Sequence, residues 1–257
     1  KERYVLKMNQ SLTRQFFRFT IPTILSMVAF SLYTLVDGIF VAKGVGETAL
    51  AAVNLSSPYN SVMFAAGLLL AVGMSTTIAI RLGNGKHHEA SSLFTRNLIV
   101  AVAVSIVISV LTLLNLRSVA QFLGAEGDTL GYVMEYVGGV SPFAVFFICS
   151  YNMEILVKTD GTPLLSTIGV SLAGVTNLVL DWLFVMIFHW GVRGAAVATG
   201  LAQVVSTVLY LYYFAKRSKQ LHFVKVSLKP SEFKIYRRTL PLGVADSITE
   251  MSNGVVL

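Results

Sequence analysis

Six predominantly apolar stretches, each about 25 residues long and separated by short polar joints, run through this chain. They fall at residues 16–41, 55–80, 93–115, 131–157, 164–188 and 194–215. A seventh begins near Thr239 and is still within apolar sequence at Leu257. A helix crosses a hydrocarbon core of about 30 Å with about 20 such residues. Lipid offers no hydrogen bonds to a bare backbone, so a stretch of this length in a membrane is helical. Charged residues make up 13% of the chain and hydrophobic residues 54%, whereas a soluble domain carries roughly 25% charged residues. The fold expected is therefore an all-α membrane protein. Residues 1–215 form a six-helix transmembrane lobe, 216–238 a basic linker, and 239–257 the start of a truncated seventh helix.

The net charge of +7 raises the question of a nucleic-acid partner. Its placement argues against one: basic residues gather in the joints, above all from Lys216 to Arg238, and no aromatic-lined basic groove is evident. With the N-terminus inside, all of the 20 Lys and Arg residues except Lys43, Arg117 and Arg193 fall on the inner side. Such an asymmetry sets topology, so a multi-pass protein of the cell membrane with a cytoplasmic N-terminus is expected, in contact with membrane lipids. Cys149 is alone and inside a span, which leaves no disulfide framework. His87, His88, His189 and His222 all lie in joints, where no zinc set is formed. The first stretch is too long for a signal-peptide core and is read as retained.

Two carboxylates interrupt the apolar stretches, and an ionisable group in hydrocarbon normally faces a bundle interior with a task. Asp37 lies six residues from Lys43, roughly 9 Å below the surface at a rise of 1.5 Å per residue. Asp181 lies eight residues from His189, roughly 12 Å deep, and Thr199 on the following span comes out at roughly 9 Å. Asn177 is one turn from Asp181 and shares its face. Two carboxylates, an amide and a hydroxyl at one level offer hard oxygen ligands for sodium; equally, the carboxylate pair is suited to share a proton. Both readings stay open at this stage.

Other polar positions carry weaker signals. Glu250, twelve residues above Arg238, reaches a comparable depth of roughly 18 Å from the inner side and would belong to a second lobe. Asn152 is a candidate for lining a cavity, while Glu154 precedes Lys158 at the spacing of an ordinary helical ion pair. Tyr33, with Phe30 and Phe40, lies at helical spacings around Asp37, where aromatic rings suit a lipophilic cation. Gly138, Gly139 and Pro142 predict a bend in the fourth span.

The seventh span begins as the first does: Arg18-Phe-Thr-Ile-Pro22 and Arg237-Arg-Thr-Leu-Pro241 share the basic residue, threonine and proline at one spacing. Parallel repeats of this kind build many secondary transporters. The segment from Pro22 through Tyr33-Thr-Leu-Val-Asp37-Gly-Ile-Phe-Val to Ala49-Leu-Ala-Ala-Val, then Asn177-Leu-Val-Leu-Asp181, then Gly191-Val-Arg-Gly-Ala-Ala-Val-Ala-Thr199, occur in order along the six spans. Together with the basic linker they resemble the multidrug and toxic compound extrusion (MATE) family of antiporters.

That resemblance implies twelve helices in two lobes of six, of which this chain would supply the N-terminal lobe and the start of the seventh helix. It implies that Asp37, Asn177, Asp181 and Thr199 form a proton or sodium site, that Glu250 matches an acidic seventh-helix residue of some members, and that no cofactor or enzymatic step is involved. Lipophilic, often cationic drugs and toxins would be exported by alternating access from a monomeric transporter, with ion binding at Asp37 and Asp181 favouring drug release outward. A related two-lobed lipid-precursor flippase would be expected to line its cavity with basic residues where this chain has acids. A seven-span receptor would place its N-terminus outside, against the charge asymmetry. A membrane enzyme finds no nucleophile and base at working spacing.

Overall fold

The computed structural model describes residues 17, 20, 21, 24, 25, 27, 28, 31, 35–227 and 229–256. Among them, regular structure is entirely helical. Every described position from residue 17 to residue 44 is helical, and the continuous part, 35–44, is α1. Then follow α2 (Glu47–Gly83), α3 (His87–Leu114), the short α4 (Leu116–Phe122), α5 (Asp128–Val140), α6 (Ala144–Thr159), α7 (Pro163–Asp181), α8 (Gly191–Lys216) and α9 (Tyr236–Val256). Five helical stretches among the described residues are long and apolar enough to cross a membrane: α2, α3, α5 with α6, α7 with the turn that follows it, and α8. The protein is a multi-pass membrane protein.

The boundaries differ from the expected ones in instructive ways. The second span starts at Glu47, not residue 55, because the small apolar residues from Ala49 to Val53 extend the helix back to the turn at Val45 and Gly46. The fourth is broken as its glycines and proline predict: α5 and α6 are joined by a 3₁₀ turn at Ser141–Phe143, with Pro142 inside it. The Ser109 hydroxyl of α3 donates to the Ser141 carbonyl at 2.8 Å, satisfying an acceptor at the break. The fifth leaves α-helical winding at Trp182 for a π-helical segment, Trp182–Ile187.

α5 with α6 and α8 bury most of their apolar windows, whereas α3 and α7 leave large aliphatic side chains such as Ile106, Val107, Val175 and Val179 exposed. The first group packs the centre and the second faces lipid. α9 lies antiparallel along α2 through small residues. A Cβ on Gly73 would collide with the Thr239 carbonyl, and one on Gly243 with that of Leu69. The Ser247 hydroxyl donates to the Ala65 carbonyl at 3.1 Å. Small residues at four-residue spacing allow this backbone approach, as is common between membrane helices.

The segment after α8 is not a free tether. Asp160, wholly buried at the end of α6, accepts hydrogen bonds from the Tyr213 hydroxyl (2.6 Å) and from the backbone N–H groups of Lys219, Gln220 and Leu221 (2.8, 2.9 and 2.8 Å). The chain can turn there because Gly161 takes φ 88°. The strap then runs along the start of α3: the His222 and Val224 amides donate to the hydroxyls of Ser91 and Thr95, each at 3.2 Å. Phe223 packs on Phe94 at a ring separation of 5.3 Å.

Candidate ion-binding site

The four residues expected at one depth are brought together. Asp37 comes from α1, Asn177 and Asp181 from consecutive turns of α7, and Thr199 from α8. The Asn177 amide donates to the Thr199 hydroxyl at 3.3 Å, and that hydroxyl donates in turn to the Ala195 carbonyl at 2.9 Å. The carboxyl groups of Asp37 and Asp181 face one another within interaction range, with Asn177 beside Asp181. Neither Asp181 oxygen, however, makes a hydrogen bond of ordinary geometry.

Two further residues complete the cluster. Tyr136 of α5 is buried, with its hydroxyl near both carboxylates and Thr199. The Asn60 amide of α2 donates to that hydroxyl at 3.3 Å. Neither residue is marked by sequence spacing, since α2 and α5 reach the site only through packing. The one available signal is that each is a polar group within a stretch of membrane-spanning length.

The state of the oxygen atoms is the informative feature. Asp37 Oδ1, Asn60 Oδ1, Asn177 Oδ1 and both Asp181 carboxylate oxygens are buried without a hydrogen-bond partner. Buried acceptors are normally satisfied, and each one left bare costs about 1–3 kcal/mol, more for a charged group. All five are acceptors, so what the cluster needs is a positive partner: a shared proton or a hard cation with oxygen ligands. No group of three or more His, Cys, Asp or Glu gathers anywhere among the described residues, and this donor set of carboxylates and neutral oxygens differs in kind from a transition-metal site.

The π-helical segment begins at the residue after Asp181 and widens the helix there. A Cβ on Gly44, at the end of α1, would come within 2.6 Å of Val185 in that segment. This close approach brings the end of α1, seven residues from Asp37, against the widened turn. The return to α8 passes through His189 in a left-handed conformation (φ 53°) and the stacked rings of Phe184 and Trp190, 4.7 Å apart.

The remaining expected residues fall elsewhere. Tyr33, with Phe30 and Pro22, lies outside the described residues. Asn152 is wholly buried, accepts from the Asn97 amide at 3.1 Å and donates to the Gly67 carbonyl at 3.4 Å, so it ties α2, α3 and α6 together. Its polarity is spent on helix packing. Glu250 is half-buried on α9 within electrostatic reach of Tyr151. Glu154 pairs with Lys158 at 2.8 Å, as its spacing predicts.

Comparison with known proteins agrees with this arrangement. Multidrug export protein MepA of Staphylococcus saprophyticus is 24% identical over 200 residues, covering 78% of this chain and 44% of that protein. The same protein of Staphylococcus haemolyticus is 24% identical over 222 residues, covering 86% and 49%. This chain thus spans about half the length of the curated relatives it matches. Among solved structures, a multidrug resistance MATE family transporter of the MOP superfamily superposes in its outward-facing conformation with TM-score 0.80 and 29% identity, over 91% of this chain and 52% of that one. An inward-facing structure of such a transporter gives TM-score 0.77 and 26% identity, over 89% and 55%. The fold is therefore that of one lobe of a MATE transporter. The MatE family profile matches residues 22–183, which include Asp37, Asn60, Tyr136, Asn177 and Asp181, and the chain belongs to the MatE family.

Proposed function

We propose that this chain is one lobe of an antiporter that exports lipophilic, often cationic drugs and toxins, driven by protons or sodium moving inward. The observation that carries the reading is the set of five unpartnered buried oxygens around Asp37 and Asp181. Two carboxylates in contact, away from water, need a compensating cation, and a proton or sodium ion serves as one. With the ion bound, Asp37, Asn177, Asp181 and Thr199 form a neutralised, closed cluster joining α1, α7 and α8; without it, repulsion between the aspartates acts to part them. A change of this kind needs only a different ion affinity in two conformations to shift their populations. Drug and ion then alternate through conformational preference, with no covalent chemistry. The similarity of this lobe to both outward- and inward-facing relatives supports a lobe that moves largely as a body.

The reading places the N-terminus and the basic strap on the cytoplasmic side of the cell membrane. Residues 1–215 form the lobe, 216–238 the connection and 239–257 the start of a partner lobe, with Glu250 on that partner's side. The test is efflux of a fluorescent lipophilic cation from vesicles holding the transporter of which this chain is a lobe, under imposed proton or sodium gradients. One gradient is expected to drive efflux, identifying the ion. Asp37→Asn and Asp181→Asn are expected to lower it at least tenfold while the protein stays folded. Efflux that no gradient drives, or that both variants sustain, would sink the antiporter reading.

A further inference from the structure

A second polar cluster lies at the opposite end of the bundle from the α7–α8 turn, where the strap crosses α3. Arg96 is buried, yet its guanidinium carries only part of its possible bonding. Nη2 pairs with Glu232 Oε2 at 2.8 Å, while Nε has no partner. The Tyr236 hydroxyl, within electrostatic reach of Arg96, is likewise buried and unpartnered. A guanidinium presents five N–H donors in a planar fork suited to the oxygens of a phosphate. Between α2, α3 and the strap opens a cleft of about 480 Å³ lined by Arg81, Ser92, Arg96, Lys225, Ser227 and Ser231. Its two acids are already engaged: Glu89 by Arg81 at 2.7 Å and Lys86 at 3.0 Å, and Glu232 by Arg96. Lys225 is exposed and forms no ion pair among the described residues.

The level of the cleft decides what it meets. From Asn97 to Leu114, α3 carries no charged residue. That run is roughly 27 Å long at the helical rise, close to the thickness of a hydrocarbon core. Arg96, the residue before it, is thus at the level of lipid headgroups. Below Ser92 and Arg96, the residues Ile99, Ala103, Ile106 and Val110 follow at three- and four-residue spacing on the same face, and all four are exposed. A cationic, hydroxyl-rich cleft therefore stands directly over an aliphatic stripe that faces lipid.

We propose that this cleft binds the phosphodiester headgroup of an anionic phospholipid, whose acyl chains lie along the exposed stripe of α3. Arg96 anchors the phosphate through the fork edge that Glu232 leaves free, Lys225 adds a second cation, and the serine hydroxyls donate from the rim. Glu232 sits on the exposed 3₁₀ turn of the strap (Pro230–Ile235) and competes with the phosphate for Arg96. The strap that leads to α9 is thus tied to the lipid composition of its own membrane face.

The test is native mass spectrometry of the purified, delipidated transporter of which this chain is a lobe, titrated with phosphatidylglycerol, with phosphatidylcholine and inorganic phosphate as parallel arms. Phosphatidylglycerol is expected to bind at lower concentration than phosphatidylcholine and to resist an equal concentration of inorganic phosphate. Lys225→Gln is expected to weaken it about fivefold, the weight of one basic residue at an anionic surface. Glu232→Gln is expected to tighten it, whereas Glu126→Gln, the same charge change in the α4–α5 turn, is expected to leave it alone. Arg96→Lys keeps the charge, loses the fork and is expected to weaken binding. Equal binding of both lipids, displacement by inorganic phosphate, or equal tightening by Glu126→Gln and Glu232→Gln would overturn the proposal.

Discussion

At the scale of single residues, two buried aspartates serve opposite ends. Asp160 is surrounded by donors: three backbone amides and a tyrosine hydroxyl converge on its carboxylate and fix the root of the strap. Asp181 instead has both oxygens bare, with the Asp37 carboxyl facing it. The first arrangement is complete in itself and the second calls for a ligand, which is why only the second is read as an ion site. Tyr136 and Asn60 belong with it, because their polar atoms close the cluster on the α2–α5 side. Tyr136→Phe removes one hydroxyl without a change of shape. Ion affinity is expected to fall about tenfold, corresponding to roughly 1.4 kcal/mol and within the net range of about 0.5–1.5 kcal/mol for a typical hydrogen bond. The chain has two tryptophans, one of them Trp182 beside Asp181, so an ion titration followed by tryptophan emission measures this. An unchanged midpoint would remove Tyr136 from the site.

At the scale of elements, close backbone approach and local departures from α-helical winding set the geometry. The α2–α9 contact depends on the missing side chain at Gly73, where the opposing atom is a backbone carbonyl that cannot rotate away. Gly73→Leu is expected to separate the two helices and cost about 1–3 kcal/mol or more, the usual penalty of overpacking. Disulfide formation between cysteines placed at Ala65 and Ser247, residues that already touch across the two helices, would report it: the bond should form readily in the parent background and fail with Leu at position 73. The break at Ser141–Phe143 and the π-helical turn at Trp182–Ile187 act differently, since they re-aim the helices on either side of the ion cluster. The first was visible as Gly138, Gly139 and Pro142. The second has no such mark, because Trp182 to Ile187 is an unbroken apolar run.

At the scale of the whole molecule, the basic strap, the start of α3 and the end of α2 share one face, while the ion cluster lies toward the other. The proposal that the strap is cytoplasmic rests on charge asymmetry. A membrane-impermeant thiol reagent applied outside intact cells is therefore expected to label Glu126→Cys, in the exposed α4–α5 turn, and to spare Ser227→Cys on the strap, against a Cys149→Ala background. The reverse pattern would invert the proposed topology and with it the proposed direction of export.

The sequence alone determined the approximate positions of the five apolar spans found among the described residues, since the length and apolarity a bilayer demands are written in consecutive residues. It also indicated the common depth of Asp37, Asn177, Asp181 and Thr199, because helical rise turns residue counts into distance. It gave no sign that Asn152 bonds to Asn97 and the Gly67 carbonyl, partners 55 and 85 residues away. Tyr33 lies outside the described residues and stays an expectation. Which polar groups are left unsatisfied was decided only by the tertiary structure. Nothing in the chain distinguishes Asn60, Tyr136, Arg96 and Asp160 by what their partners will be. Whether such a group is completed by neighbours, as Asp160 is, or left open, as the Asp181 oxygens and Arg96 Nε are, depends on which helices arrive beside it.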